Sequence, residues 1–226
     1  MEPGAHSPEA AVRMAFLNSA SGLTPLLGDE AVERRWNEPS VLDRWTVGDL
    51  VSHLTRAVLT VGAYLDRPPP EDGTEPLDAS EYLIGVDGLS GADGPDLDSE
   101  LHRAILERAR RQAQGGREAV LAEWRGGLAD LEARLPAEAG NRRLAVLGGR
   151  VMLLDRYLVT RLVEMAVHGD DLATSIGVAT PPPDPEALTL VIEALLAAAR
   201  LRHGDLAVIR AMTRTERDTV RALRVL

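Results

Sequence analysis

Apolar positions recur at helical spacing over most of the chain. From Ser7-Pro8-Glu9, a cap followed by Pro at the first helical position, apolar residues run to about Leu27 and stop at Gly28, which predicts a first helix. Thr46-Val47-Gly48-Asp49 carries a capping signature, because Thr46 can accept from the backbone N–H three residues on while Asp49 reaches back. A second helix is expected from there through Val47, Leu50, Leu54, Val58, Val61 and Leu65, ending before Pro68-Pro69-Pro70. Residues 66–97, rich in Pro, Gly and Asp around an isolated Tyr82-Leu83-Ile84, read as one long loop of a length that tends to be functional or mobile. A third helix is expected from about Asp98 to Leu135, with Gly115-Gly116 as an interruption. Leu144 to Leu153 reads as a hairpin turning at Gly148-Gly149. The fourth helix runs from about Leu154 to Ile176, closed by Gly177 and the prolines at 181–183, and a fifth follows Pro185 to about His203. Thr213-Arg214-Thr215-Glu216 is a further candidate capping box. No internal repeat is visible. The expected fold is all-α: an antiparallel four-helix bundle over residues 1–184 with a small β-hairpin, and a helical extension over 185–226 packed on it.

Composition narrows the chemistry. Hydrophobic residues make up 45% of the 226 and charged residues 27%, enough to bury a core; aromatics are 3%, so that core is aliphatic. A net charge of −10 and a pI near 5.0 leave no basic face for phosphates, so nucleic acid is not an expected partner. Every basic residue is Arg, which suggests a GC-rich coding bias and removes lysine Schiff-base and general-base chemistry. With no Cys there is no disulfide, thiolate ligand or cysteine nucleophile, and any thiol chemistry must come from a bound molecule. The first residues carry acids and prolines, and no run reaches about 18 apolar residues, so the expected setting is cytoplasmic with no membrane partner.

On the fourth helix, Leu154, Leu158, Leu162, Met165, Leu172 and Ile176 share one arc, with Arg161 and His168 at its edge and Tyr157 and Glu164 just beyond. Glu164 and His168, four apart, can grip one ion. The spacing is weak evidence by itself: Glu2 and His6, Asp49 and His53, and Asp98 and His102 repeat it, so four of the five histidines have such an acid. The plainer alternative is a salt-bridge ladder, Arg161-Glu164-His168-Asp171, along a helix edge. His53 changes the balance. It stands among Leu50, Leu54 and Ala57, where a lone histidine is more often a satisfied core residue. A third ligand on a facing helix is, however, what an open metal site in a bundle requires, and two His with one Glu leave a coordination position free, as in catalytic zinc sites.

The stretch from Pro39 through Trp45, Asp49 and His53 to Leu54, followed by Tyr157 through Arg161, Glu164 and His168 to Leu172, resembles the mycothiol-dependent maleylpyruvate isomerase-like branch of the DinB-like helical bundles. The resemblance covers most of the chain, including Arg202-His203-Gly204-Asp205-Leu206. It implies a four-helix bundle holding a divalent ion, usually zinc, through His53, Glu164 and His168. It further implies mycothiol as the thiol cosubstrate and a small electrophile as its partner, in a transferase or isomerase. Arg161 is the candidate catalytic residue, pairing with a substrate carboxylate or with Glu164; Asp171 can orient the His168 imidazole, but the expected reading is a solvated charge near the helix end. Asp49 is expected to cap its helix and Tyr157 and Trp45 to be core or pocket wall; the 66–97 loop is a candidate cover for the site, and the sequence does not show where it packs. The family's isomerase has a further α/β domain contributing an arginine; here about forty residues follow Pro185, none of Arg202, Arg210, Arg214 and Arg217 is assigned that role, and transfer is expected over isomerisation. The alternatives are a metal-binding bundle without chemistry and a zinc hydrolase. A monomer or homodimer is expected.

Overall fold

The structure is a computed structural model, and it describes residues 8–71, 73–85, 97–213 and 223–225. Four long helices form the bundle: α1 (Pro8–Leu27), α3 (Val47–Leu65), α6 (Gly116–Arg134) and α7 (Leu154–Ile176). They close a ring, with α1 against α7, α7 against α3, α3 against α6 and α6 against α1. Between α1 and α3 lies the short α2 (Glu30–Arg34), which the hydrophobic pattern did not predict. The Asp29 side chain caps it by accepting from the Ala31 N–H at 2.7 Å.

The capping box expected at the start of α3 is present in both directions: Thr46 accepts from the Asp49 N–H and Asp49 from the Thr46 N–H. From that start, Val47, Leu50, Leu54, Val58, Val61 and Leu65 all point into the core. The arc of α7 does the same, Leu154, Leu158, Leu162, Met165, Leu172 and Ile176 all being buried. Each such side chain contributes about 1.5–3 kcal/mol of burial. Trp124 of α6 fills the centre and donates its indole N–H to Thr24 at 2.9 Å. α7 ends at Gly177, whose φ of 76° is the left-handed conformation that glycine adopts without a Cβ penalty.

The single third helix predicted from Asp98 to Leu135 is two helices, α5 (Glu100–Ala113) and α6. The break falls at the predicted glycines, where Gly116 takes φ 78° and turns the chain. α5 then lies outside the ring against α3 and α6. The segment read as one loop contains α4 (Ala79–Gly85), which buries Tyr82 and Leu83 against the core; residue 72 and residues 86–96 lie outside the described residues.

The hairpin forms from β1 (Arg143–Ala145) and β2 (Val151–Leu153), antiparallel with Arg143 opposite Leu153. Its connection is the five residues 146–150 rather than a two-residue turn, with Gly148 and Gly149 both at φ 74°. Beyond the prolines, α8 (Pro185–His203) starts at an Asp184 cap and packs on α7, α1 and α4. Its Ala187, Val191, Ala194, Ala198 and Ala199 join the same buried cluster as the bundle. α9 (Asp205–Thr213) follows, and residues 214–216 of the expected terminal capping box lie outside the described residues.

Candidate metal centre

α3 and α7 pack side by side, and this brings His53 of the first to Glu164 and His168 of the second. The Nε2 atoms of both imidazoles face one carboxylate oxygen, Glu164 Oε2, at 3.5 Å from His53 and 3.4 Å from His168. One donor atom from each of the three lies within 4.8 Å of the others. The other oxygen, Oε1, faces the Arg161 guanidinium at 3.7 Å. Arg161 is more deeply set than its edge position on the helix suggested, at 8% exposure, because the Tyr157 ring covers it 4.9 Å away.

Each element is aimed by local contacts. Residues 39–46 fold back on themselves, with Ser40 N–H bonded to the Trp45 carbonyl and Trp45 N–H to that of Leu42. Arg44 takes φ 68° in this turn, outside the range usual for a residue with a side chain. The result drives Trp45 inward, its ring edge-on to His53 at 5.2 Å between centroids. His168 is held from below by Asp171, whose Oδ2 lies 3.0 Å from Nδ1. This contact keeps one proton on Nδ1, so that the proton given up when the ring becomes neutral is the one on Nε2, whose lone pair then faces the cluster.

Burial lowers the His53 pKa, and the Glu164 hydrogen bond only partly offsets it, so this imidazole is neutral at pH 7. Burial also opposes ionisation of Glu164, but Arg161 and the hydrogen bonds from His168 and His53 outweigh it and hold the carboxyl well below its usual range. For His168 burial is again outweighed, here by Asp171 and Glu164, and its pKa is raised to about 9. The ladder Arg161-Glu164-His168-Asp171 therefore exists along α7, and His53 adds a neutral imidazole from across the helix pair.

Two imidazole nitrogens and one carboxylate oxygen, converging from two rigid helices, form a donor set of the kind that suits zinc and leaves a position open. That position has space around it. A cavity of about 520 Å³ opens beside His53, Glu164 and His168, walled by Trp45, Leu42, His102 and Val167 among others. A smaller one, about 130 Å³, lies against His53, Glu164 and Arg161, with Tyr157, Tyr82 and Leu83 in its wall. Asp49 is used as a helix cap, and His203 ends α8 with its Nε2 2.8 Å from the Arg224 carbonyl.

Sequence reasoning passed over Arg56, Arg108, Tyr64 and His102 as wall residues. Arg56, three residues after His53, shares its helix face and was open to detection by spacing. Arg108 and His102 were not, since they arrive on α5 through the break at Gly116.

Fold and site together define a class: a helical bundle with a histidine-carboxylate triad bridging two of its helices. A family model described as the mycothiol maleylpyruvate isomerase N-terminal domain matches residues 20–173, and the chain belongs to that family. Among solved structures it is similar to the mycothiol-dependent maleylpyruvate isomerase, with a TM-score of 0.54, 14% identity, and coverage of 90% of this chain and 72% of that one. A histidine-to-alanine mutant of that isomerase aligns with a TM-score of 0.52 and 15% identity, over 85% of this chain and 69% of the other. At these identities the likeness is one of fold. No curated protein matches the chain. Among the described residues no helix is long and apolar enough to cross a membrane.

Proposed function

We propose that the protein is a metal- and thiol-dependent enzyme, a transferase or isomerase, in which His53, Glu164 and His168 hold a divalent ion, zinc by donor type. The observation that carries this reading is the convergence of two imidazole Nε2 atoms from different helices on the single oxygen Glu164 Oε2. Membership of a family described by mycothiol and maleylpyruvate isomerisation supports mycothiol as the thiol and a small electrophile as its partner. The ion's contribution is Lewis acidity, which converts a thiol to its thiolate near neutral pH.

The remaining work falls to the chain. Asp171 fixes the ring of His168, and Trp45 fixes that of His53. Arg161 holds Glu164 ionised and occupies its second oxygen, so that Oε2 alone faces the imidazoles. No cysteine competes with the incoming thiol. The half-enclosed walls around the cluster limit water beside the reacting atoms, which strengthens charge interactions there. In this reading residues 1–184 supply the reacting site and residues 185–226 form an extension packed on it. Arg161 is a positioning residue for the Glu164 carboxylate.

Elemental analysis of wild type and Glu164→Ala, purified side by side, tests the reading. About one zinc per chain in wild type, lost in the variant, supports it, as does thiol-dependent consumption of an electrophile by wild type alone. Hydrolysis without added thiol would instead make the protein a zinc hydrolase, and no metal after incubation with zinc would leave only the ladder on α7.

A further inference from the structure

The smaller cavity has an unbalanced charge. Three guanidinium groups line it, Arg56 from α3, Arg108 from α5 and Arg161 from α7, against one acidic residue in its wall among the described residues, Glu164. That carboxylate is already shared between Arg161, His53 and His168. Arg56 is partly buried, Arg108 is exposed, and among the described residues neither forms an ion pair with a carboxylate. Burial, together with repulsion from Arg108 and Arg161, works against the charge on Arg56. A partly buried guanidinium beside two others and, among the described residues, without a carboxylate of its own, as Arg56 is, is costly, and an arriving anion lowers that cost.

The position is informative as well. Arg56 lies one turn after His53 and Arg161 one turn before Glu164, so the cavity abuts the triad on its α3–α7 side. Its roughly 130 Å³ far exceeds the space one water needs, and suits a small acid of a few heavy atoms. Guanidinium groups match carboxylates with paired, planar hydrogen bonds. The Tyr157 hydroxyl donates to Thr60 Oγ1 at 2.8 Å, and the arginines are the charged donors of a wall that also carries Tyr64 and Tyr82.

We propose that this cavity is a carboxylate site: Arg56 and Arg108 bind the carboxylate of a small organic acid and so place its electrophilic carbon beside His53, Glu164 and His168. The larger cavity is then left for the thiol. The part played in catalysis rests on the metal- and thiol-dependent reading above; the binding of a carboxylate does not.

The test is calorimetric titration of the full-length protein with succinate, with acetate, and with uncharged succinamide, in zinc-loaded and chelator-treated samples. Succinate or acetate should bind both samples with Kd of about 1 mM or tighter, and succinamide should not. Arg56→Gln and Arg108→Gln should each weaken binding about tenfold, Arg56→Lys less, and the exposed Arg103→Gln not at all. Arg108 is exposed, so its variant reports on binding even if Arg56→Gln is poorly folded. The proposal is overturned if neither acid binds, if succinamide binds as well as succinate, or if both glutamine variants bind like wild type. Carboxylate binding confined to the zinc-loaded sample and indifferent to both arginines would assign the acid to the metal, sinking this site and leaving the metal reading intact. Arginine-dependent binding in a protein that never takes up zinc would do the reverse.

Discussion

His168 sits between two carboxylates, and that placement sets how the protein answers to pH. Asp171 and Glu164 raise its pKa from about 6.5 to about 9 against the opposing effect of burial. A folded-state value above the unfolded one means the charged imidazole stabilises fully below the ordinary histidine range, and the contribution fades as pH climbs through about 9. Glu164 behaves oppositely, stabilising above the ordinary carboxylate range and losing that effect as pH falls through its lowered value. Urea denaturation of metal-free protein should therefore show stability falling from neutral pH toward about 9, with a shallower slope in Asp171→Asn. Metals take neutral imidazole, so zinc uptake at neutral pH should release about one proton, visible as a buffer-dependent heat. Uptake without proton release would argue against His168 as a ligand. His53→Ala and His168→Ala should each lose tight metal binding while keeping helical circular dichroism.

At the scale of elements, the first turn of α3 sets the height at which His53 meets α7. Thr46→Ala removes a cap that accepts the Asp49 N–H and should cost about 1 kcal/mol in urea denaturation. Gly48→Ala should cost more, about 1–3 kcal/mol, because a Cβ there would meet the rigid Trp36 indole at 2.7 Å. If the variants stay folded, metal content per chain should be unchanged in both. Caps, glycine stops and apolar arcs are local, so α1, α3, α7 and α8 were legible from spacing. α2 is only five residues long and α4 seven, too short to show a period, and both are held by what they pack against or by a side-chain cap. The exposed α5 gave a helical signal continuous with α6, and only the left-handed Gly116 separates them.

For the molecule as a whole, α8 shares one buried cluster with the bundle through Ala187, Val191, Ala194 and Ala198. A chain cut after Asp184 should uncover the partner faces on α1, α4 and α7, and unfold at a lower urea concentration than the intact protein. Equal midpoints would mean the extension adds nothing to the fold. The amino-acid sequence alone determined the mostly helical character, the boundaries of α1, α3, α7 and α8, the absence of cysteine chemistry and the i,i+4 spacing of Glu164 and His168, because these depend on residue type and on neighbours within one turn. Spacing by itself left Glu164-His168 indistinguishable from three other acid-histidine pairs; His53 on the neighbouring helix and the family motifs singled it out. Tertiary structure decided the meeting itself, by packing α3 on α7 so that His53 arrives at the same carboxylate oxygen as His168, and by bringing α5 alongside so that Arg108 joins Arg56 and Arg161 around one cavity. Those meetings link residues roughly fifty to more than a hundred positions apart on separate helices, and no spacing rule reaches across such a distance; only the close fit of buried side chains between the helices fixes it.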